Sequence, residues 1–328
     1  MRKTFIASSI VAALSGCGGG GGDSISQPAT GAPSTPTAPP VVTTDSTVVP
    51  VAPAGTYADG DKLAAYNYLN AQRLQCGFGA LAQSTPLDKA AQGHADYVAR
   101  NVDAGHLDAY GHLENASYSG FTGVSPLDRA NLQGYGGLGV AEDASVKASA
   151  FLAMQEFLSV TYHTISALGG DRDIGIGVSP TTTKWALPVV VVDLGLRSTA
   201  DVQYLDSKVM AMFPCDGQTG IAGAQYGESP SPILGRDFAL NPAGRSIIAM
   251  VRIGQVLSVS EFTLSQAGGS PLKATLLTSD TDPNKLLSSN AVVLIPDAPL
   301  AAKTTYTAKL VGTNNGQPIN KTWRFTTQ

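Results

Sequence analysis

The chain of 328 residues carries little charge, because Asp, Glu, Lys and Arg together make up only 14% of it. Its 25 acidic residues exceed the 21 basic ones, and the basic residues form no run anywhere along the chain. Proteins that bind nucleic acids need clustered Lys and Arg side chains to neutralise the phosphates. The sequence therefore indicates no nucleic-acid partner.

Several motifs that define common enzyme and metal sites are missing. The three cysteines, Cys17, Cys76 and Cys215, form no CxxC pair, which excludes a zinc ribbon. The HExxH, GxSxG and phosphate-loop patterns are absent as well. Gly134–Gly139 does spell GxGxxG, but it follows a predicted helix instead of a strand, so it does not predict a dinucleotide site.

Residues 1–16 have the form of a bacterial export signal. Arg2 and Lys3 precede an apolar run that is much shorter than the roughly 20 residues of a membrane-spanning helix. Leu14–Cys17 resembles a lipobox, which predicts cleavage before Cys17 and a lipid on its thiol. The expected location is the cell envelope, periplasmic or at the cell surface, with the membrane as partner through that lipid. The alternative is an ordinary signal peptide with an incidental cysteine.

Residues 17–60 consist mainly of Gly, Pro, Thr, Ser, Ala and Val. This composition buries too little apolar surface to offset the entropy of ordering, so it predicts a disordered tether. Forty residues of this kind span on the order of 35 Å as a random coil.

The two cysteines that remain after lipidation are expected to pair. In an oxidising envelope compartment, leftover cysteines more often form a disulfide than stay free. A Cys76–Cys215 bond would join the first folded domain to the segment behind it.

Between residues 61 and 200, helical patterns come first and strand patterns follow. Thr85-Pro86 marks a helix start, since Thr can cap and Pro suits the first turn. A glycine-rich loop region covers 101–143. The predicted helices are 61–75, one from Thr85, Pro126–Leu132 and Ser145–Leu158, and the predicted strands are Ile174–Val178 and Trp185–Leu194.

A series of short motifs runs through the same region. In chain order they are Asn70-x-x-Arg73, Gly111-His112-Leu113-Glu114-Asn115, Ala141-Glu142, Tyr162-His163 and Ile174-Gly175-Ile176-Gly177-Val178. In this order they resemble the CAP superfamily, in its bacterial SCP-like branch, over about residues 60 to 195. The resemblance implies an α/β fold, an α-β-α sandwich, with a cavity that carries two His and two Glu.

By motif match, His112 takes the first histidine position, Glu142 the first glutamate and His163 the second histidine. The second glutamate has no match, because Phe157 holds the aromatic position that precedes it and no acid follows. Glu156 and Glu114 are the nearest substitutes.

Two imidazoles and a carboxylate in one cavity can bind Zn²⁺ or exchange protons near neutral pH. His112 and His163 are therefore the candidate metal ligands, and zinc is the candidate cofactor. The alternative is that both are buried, hydrogen-bonded supports. His94 lies on the apolar stripe of the second helix and is expected in the core, whereas His106 is an alternative to His112.

Beyond about residue 205 the character of the sequence changes, and the patterns are those of strands. Asn315-Gly316 predicts a hairpin turn. The ending Trp323-Arg324-Phe325-Thr326-Thr327 resembles bacterial Ig-like domains, so 225–328 is predicted to be an all-β Ig-like sandwich behind a linker at 201–224. Asp280, Asp282 and Asn284 predict a turn, since the Gly and Glu of a calcium loop are absent.

These observations predict a lipid-anchored envelope protein whose CAP-like domain (61–200) binds a cell-envelope or extracellular ligand or partner, and an enzyme is the less favoured interpretation. CAP proteins are implicated in sterol and lipid binding, in cell-surface interaction and, in some reports, in proteolysis. The alternative is a metal-dependent, peptidase-like hydrolase of the envelope that uses Glu142 with His112 and His163 around a metal-bound water. A rigid spacer is the third interpretation.

Overall fold

The computed structural model describes residues 45–328. The predicted export signal, the lipidation site Cys17 and most of the predicted tether lie outside this range. The helices are α1 (Gly60–Gln75), α2 (Thr85–Asp103), α3 (Pro126–Leu132), α4 (Ala150–Phe157) and α5 (Thr161–Ala167). Four strands accompany them: β1 (Ala82–Gln83), β2 (Gly139–Val146), β3 (Asp173–Ser179) and β4 (Val189–Leu196).

These four strands form one sheet in the order β1-β3-β4-β2. Strand β4 is antiparallel to both β3 and β2, whereas β1 is parallel to β3. Val189 and Val191 pack in an apolar cluster with α2, while Val190 and Val192 pack in another with α1 and α4. Because helices cover both faces, β4 is a continuous apolar run and not an alternating one. The result is an α/β architecture with the sheet between helices.

Two glycines let α2 lie directly on β3. A Cβ on Gly175 would come within 2.1 Å of the backbone of Leu87, and one on Gly177 within 2.2 Å of the backbone of Ala91. Real side chains do not approach this closely, so only glycine fits at both positions. The glycines of the Ile174–Val178 motif are thus required by packing.

The predicted helix Ser145–Leu158 differs from the structure at its start. Ser145 and Val146 belong to β2, where they pair with β4, and the helix begins only at Ala150. Ser149 accounts for this, because its side chain accepts a hydrogen bond from the Leu152 N–H and caps the helix. Most of β2 itself lies in the region predicted as a loop, since its acidic and small residues carry a weak strand pattern.

Residues 45–59 also differ from the predicted tether, because they pack against the folded chain. The Thr47 N–H donates to the Tyr204 carbonyl at 2.9 Å, and the carbonyl of Val49 accepts from the Ala80 N–H at 2.9 Å. The apolar side chain of Val48 contacts the main core cluster. A few apolar residues are enough to order this segment, because it packs on the surface of a domain that is already folded.

The C-terminal part consists of strands. They are β5 (Ala211–Phe213), β6 (Gln218–Ile221), β7 (Ala224–Gln225), β8 (Ala243–Gly244), β9 (Ile247–Met250), β10 (Leu257–Gln266), β11 (Ala274–Leu277), β12 (Ala291–Pro296), β13 (Thr305–Asn314) and β14 (Gln317–Thr327). Two four-stranded sheets result, β10-β13-β14-β6 and β11-β12-β9-β5. Residues 201–224, predicted as a linker, supply β5 and β6. The hairpin at Asn315-Gly316 is confirmed, with φ of +46° and +79°.

The sheet that contains β9 and β12 is buried on both faces. Ile247 and Val292 face the other C-terminal sheet, and Trp323 lies in the same apolar cluster. Ile248 and Val293 point the opposite way and join the core of the helical part. The C-terminal strands therefore share a core with the helices, and residues 45–328 belong to one compact unit.

The predicted disulfide is confirmed. Cys76 at the end of α1 is bonded to Cys215 behind β5, with 5.2 Å between their Cα atoms. The bond links the helical part to the C-terminal strands across 139 positions of sequence. None of the helices within residues 45–328 is both long and apolar enough to span a bilayer.

Candidate functional site

A cleft runs along β2, the outer strand of the first sheet. It has two adjoining lobes with volumes of about 290 Å³ and about 540 Å³. His112, His163 and Ser229 line both lobes, so these side chains mark the place where the lobes meet. Glu142 lines the larger lobe. The structure thus brings the three predicted site residues to one cleft.

His112 is held in place by Glu142 of β2. Nδ1 of His112 lies 3.0 Å from Oε1 of Glu142, and the other carboxylate oxygen accepts a hydrogen bond from Nη2 of Arg129. Arg129, from α3, also donates to the His112 carbonyl at 3.2 Å and so fixes the loop that carries the histidine. Burial alone would raise the pKa of the Glu142 carboxyl, but the His112 hydrogen bond and the positive charges of His94 and Arg129 hold it below its usual value.

His94 supports the loop that carries His112. It is fully buried, with Nδ1 3.0 Å from Oε1 of Glu114 and Nε2 2.8 Å from the carbonyl oxygen of Gly111. Both ring nitrogens are engaged, so His94 has none left for a ligand. Glu114 also accepts the Thr122 N–H at 2.6 Å. Glu114 therefore braces the loop beneath His112 and is not a lining residue of either lobe.

The acidic partner of His163 comes from a distant part of the chain. Nδ1 of His163, on α5, lies 2.9 Å from Oε2 of Glu228. The same carboxylate accepts the backbone N–H groups of Thr161, Tyr162 and His163 at 2.6 to 3.1 Å, so it also caps α5. The Glu228 side chain is only 1% exposed. Sequence reasoning missed this residue, because the family resemblance ends near residue 195.

Charge around His163 favours its protonated form. Burial opposes a positive charge there, but the hydrogen bond to Glu228 and the negative charges of Asp143, Glu228 and Glu156 outweigh it and raise the pKa of His163. Phe157 stacks on the ring, with 5.3 Å between ring centroids. Burial in turn raises the pKa of Asp143 to about 7, even though the positive charge of His163 acts against this shift.

Beneath Glu142, a buried carboxyl on β4 lacks polar partners. Asp193 is paired with Glu142 in the strand register, and neither of its carboxyl oxygens has a hydrogen-bond partner among the described residues. Burial, together with the negative charge of Glu142, raises the pKa of Asp193 well above its usual value. Its buried position therefore favours the neutral form of the Asp193 carboxyl. No sequence pattern singled it out.

The two remaining sequence candidates lie in different places. Glu156 lines the smaller lobe and contacts the Ser145 hydroxyl and Nζ of Lys147, the latter at 2.7 Å. His106 stacks on Tyr118, with ring centroids 4.3 Å apart, and lines neither lobe. Glu156 is thus a cleft residue, whereas His106 is not.

The C-terminal part builds the opposite wall of the cleft with Ser229, Pro230, Asn284 and Leu286. Nδ2 of Asn284 donates to the Tyr162 hydroxyl at 2.9 Å, and that hydroxyl donates to Asp282. Asp282 also accepts backbone N–H groups of its own loop. Asp282 and Asn284 therefore close a turn, as the sequence predicts, and this turn ties the wall to α5.

The predicted zinc site does not fit the described side chains as they stand. Each cleft histidine has a carboxylate on Nδ1, an arrangement common behind metal-binding histidines, and Nε2 of neither ring has a hydrogen-bond partner within 45–328. Zinc needs further protein ligands, but His112 and Arg129 occupy both oxygens of Glu142. In the described part of the chain, no group of three or more His, Cys, Asp or Glu is arranged to hold a metal ion.

Neither a protein-family model nor a curated protein matches this chain. Among solved structures, the chain is similar to an outer surface protein from Borrelia burgdorferi, with 16% identity over 43% of this chain and 96% of that one and a TM-score of 0.34. It is also similar to an extracellular protein containing an SCP domain from Bacillus anthracis, with 16% identity and a TM-score of 0.33. That match covers 42% of this chain and 41% of the other. These neighbours are surface or extracellular proteins.

Proposed function

We propose that this chain is a cell-surface or cell-envelope protein that binds a ligand or partner in the cleft between His112 and His163, without catalysing a reaction. Residues 61–200 would be a CAP-like domain and the C-terminal strands an Ig-like one. A lipid on Cys17 would anchor the chain to a membrane. Metal binding is not required for this function.

The observation that carries the proposal is the construction of the cleft. The larger lobe, of about 540 Å³, falls in the size range of ligand-binding sites. Its walls come from β2, from α5 and from loops of the C-terminal part, and each histidine is held in position by a buried carboxylate, Glu142 for His112 and Glu228 for His163. Fixed polar groups beside apolar side chains, here Ala141, Ile165, Pro230 and Leu286, are typical of binding sites.

The arrangement of the acids and bases argues for binding over catalysis. The hydrogen bond to Glu228 and the nearby negative charges raise the pKa of His163, which favours the protonated ring over the neutral form that a general base requires. Both oxygens of Glu142 are occupied by His112 and Arg129. Neither cleft imidazole hydrogen-bonds to a hydroxyl or a thiol among residues 45–328, so neither histidine activates a nucleophile of that kind.

One observation favours a hydrolase as the second candidate. Glu142 orients Nδ1 of His112 and leaves its Nε2 toward the cleft, and a carboxylate–imidazole pair of this kind can act as a general base. A hydrolase would lose turnover of a peptide or ester substrate panel in His112→Asn at an unchanged thermal midpoint. Equal rates in the wild type and His112→Asn would exclude it.

The binding proposal is tested by filling the cleft. Ser229 is exposed and lines both lobes, so Ser229→Trp should block them without disturbing the core. Ser258→Trp, at an exposed position of β10, is the matched control. The probes are a palmitate micelle, a soluble peptidoglycan digest and a phage-displayed random heptapeptide library.

We expect the wild type and Ser258→Trp to retain at least one probe with a Kd of about 100 μM or tighter, and Ser229→Trp to bind it at least about tenfold more weakly. Binding that Ser229→Trp leaves unchanged would place the site elsewhere. No binding by the wild type to any probe would overturn the proposal.

The anchor is tested separately with Cys17→Ser. The substitution should move the protein from the membrane fraction to the soluble fraction of cells that express the full chain. Continued association with membranes would exclude a lipid on Cys17 as the anchor.

A further inference from the structure

The cleft exposes β2 along its edge. Ala141, Glu142 and Asp143 line the larger lobe, and Ala144 and Ser145 line the smaller one. Neighbouring residues of a strand point to opposite faces of the sheet. Five consecutive residues can therefore line one cleft only where the cleft follows the free edge of the strand, and β2 is an outer strand of its sheet.

The strand register shows which backbone groups point into the cleft. Pairing between β2 and β4 runs without a shift, and the Lys147 N–H donates to the Pro188 carbonyl at 3.1 Å. Hydrogen bonding alternates along an antiparallel pair, so Asp143 and Ser145 turn their backbone groups toward β4. Glu142 and Ala144 turn theirs away from β4, toward the cleft.

An independent contact agrees with this assignment. The Tyr110 hydroxyl, from the loop across the cleft edge, donates to the Ala144 carbonyl at 3.4 Å. Among the described residues, no hydrogen bond from outside the sheet reaches the backbone of Glu142 or the N–H of Ala144. The edge thus presents the N–H groups of Glu142 and Ala144, two residues apart, and the carbonyl of Glu142, while Tyr110 contacts the carbonyl of Ala144.

The outer strand β10 of the C-terminal part has features that prevent another strand from pairing with its free edge. Its pairing with β13 shifts between Val259 and Glu261, and Glu261 forms an ion pair with Lys309. Bulges and edge charges of this kind discourage a further strand from adding. Strand β2 has no such shift in its register.

The two histidines stand on opposite sides of this edge. His112 contacts Glu142, whose side chain points toward Arg129 and the α2 layer. The next side chain, Asp143, points the other way and interacts with His163 of α5. A segment lying along the edge would therefore pass between the two imidazoles.

We propose that the ligand of the cleft is an extended polypeptide segment that adds to β2 as a fifth strand of the first sheet. This rests on the function proposed above, because it concerns the same cleft. Five residues of a strand span about 17 Å, which sets the length of the recognised segment. Backbone hydrogen bonds would supply most of the affinity, so recognition tolerates many sequences. A lipid or a glycan offers no matching repeat of amide donors and acceptors.

The test begins with heptapeptides that are selected from the phage library for binding to the protein fragment of residues 44–328. The tightest one is synthesised with a single N-methyl group at each position in turn. If the peptide adds as a strand, methylation should weaken binding at least about tenfold at alternate positions and leave the positions between them nearly unchanged, because every second N–H faces β2. Equal tolerance at all positions would overturn the proposal.

Proline substitutions in β2 test the same hydrogen bonds from the side of the protein. Ala144→Pro removes an N–H that points into the cleft and none that pairs with β4. Val146→Pro removes an outward N–H on the same strand, at a position that lines neither lobe. Ala144→Pro should weaken peptide binding at least about tenfold and Val146→Pro less than about threefold. Equal effects would contradict the assignment, and if Ala144→Pro does not fold, the N-methyl series decides.

The outcomes separate this inference from the proposed function. If Ser229→Trp blocks palmitate or the peptidoglycan digest and no peptide is selected, the cleft binds ligands but not as a sheet edge, and this inference is wrong. If the wild type binds none of the three probes, both fail. An alternating N-methyl pattern that Ser229→Trp abolishes supports both.

Discussion

The buried pair between His163 and Glu228 gives the sharpest test of how the cleft is built. Glu228→Gln keeps the shape of the side chain and one oxygen acceptor but removes the negative charge. Burial of His163 remains, and it lowers the pKa of the ring once the Glu228 hydrogen bond and charge no longer offset it. We therefore expect the pKa of His163 to fall in Glu228→Gln.

The stability change follows from the hydrogen bonds that Glu228 accepts. The carboxylate binds three backbone N–H groups of α5 and Nδ1 of His163. Hydrogen bonds to charged groups contribute about 1.5–3 kcal/mol each, against about 1 kcal/mol for neutral ones. Since Gln retains part of the set, we expect a loss of about 2–3 kcal/mol at pH 6. This corresponds to a decrease in Tm of roughly 3–5 °C for a folded unit of this size.

The loss should depend on pH in a defined direction. The folded-state pKa of His163 is raised, so the stabilisation from its charge is fully present below the unfolded value of about 6.5 and is lost as pH rises through the folded value. The difference in Tm between the wild type and Glu228→Gln should therefore shrink above that pH.

NMR titration of the His163 Cε1–H signal and calorimetry between pH 5 and 9 measure the pKa and the stability. Glu261→Gln is the matched control, because its ion pair with Lys309 is about 40% exposed and is expected to contribute less than about 1 kcal/mol. An unchanged pKa of His163 in Glu228→Gln would refute the reasoning.

Three further predictions concern the frame around the cleft. Cys76→Ser/Cys215→Ser should lower the free energy of unfolding by up to about 5 kcal/mol, since the bond closes a loop of 139 positions; a loss below about 1 kcal/mol in chemical denaturation would contradict this. The pKa of buried Asp143 is raised to about 7, so its contribution to stability is present below its unfolded value near 4 and is lost as pH rises through 7. Asp143→Asn should therefore raise stability at pH 8.5 by up to about 4 kcal/mol and leave it nearly unchanged at pH 4, and a gain that is equal at both pH values would count against the assignment. Gly177→Ala should cost at least about 2 kcal/mol because its Cβ meets the α2 backbone, whereas Gly139→Ala, with open space around it, should cost less; similar losses would mean that α2 can shift.

The elements that the sequence predicted well have local causes. Pro126–Leu132 is a helix with the predicted bounds, because Ser125 and Asp128 form a capping box around Pro126. The hairpin at Asn315-Gly316 follows from two residues that tolerate positive φ. The residues that form each of these signals lie close together in the chain, so such elements can be predicted from a single sequence.

Strand β2 is an element that its own residues do not predict. Its residues, from Gly139 to Val146, include Glu142 and Asp143 side by side and lack a run of strongly strand-forming side chains. The strand forms because β4 offers a complete ladder for it, and the two acids face positively charged groups on opposite faces, Arg129 for Glu142 and His163 for Asp143. Contacts with the rest of the fold therefore determine that residues 139–146 form a strand, and the sequence of these residues alone does not predict it.

Glu228, the acid that pairs with His163, escaped prediction for a different reason. The two substitutes that the motif indicates, Glu156 and Glu114, both belong to the helical part of the chain. Glu228 reaches His163 only because the C-terminal strands fold back onto the helices. A pairing across 65 positions has no local signal, and it becomes visible only with the packing of the two parts.

One signal of that packing is present in the sequence. Residues 247–251 and 291–295 are unbroken apolar runs, whereas a strand with one face in water alternates apolar and polar residues. Continuous runs indicate strands with both faces covered, and a freely swinging Ig-like domain would leave the outer face of this sheet in water. The burial of Ile248 and Val293 against the helical core follows from this pattern. The same packing brings Glu228 and Ser229 to the cleft, so the C-terminal part forms one wall of the cleft and is more than a spacer.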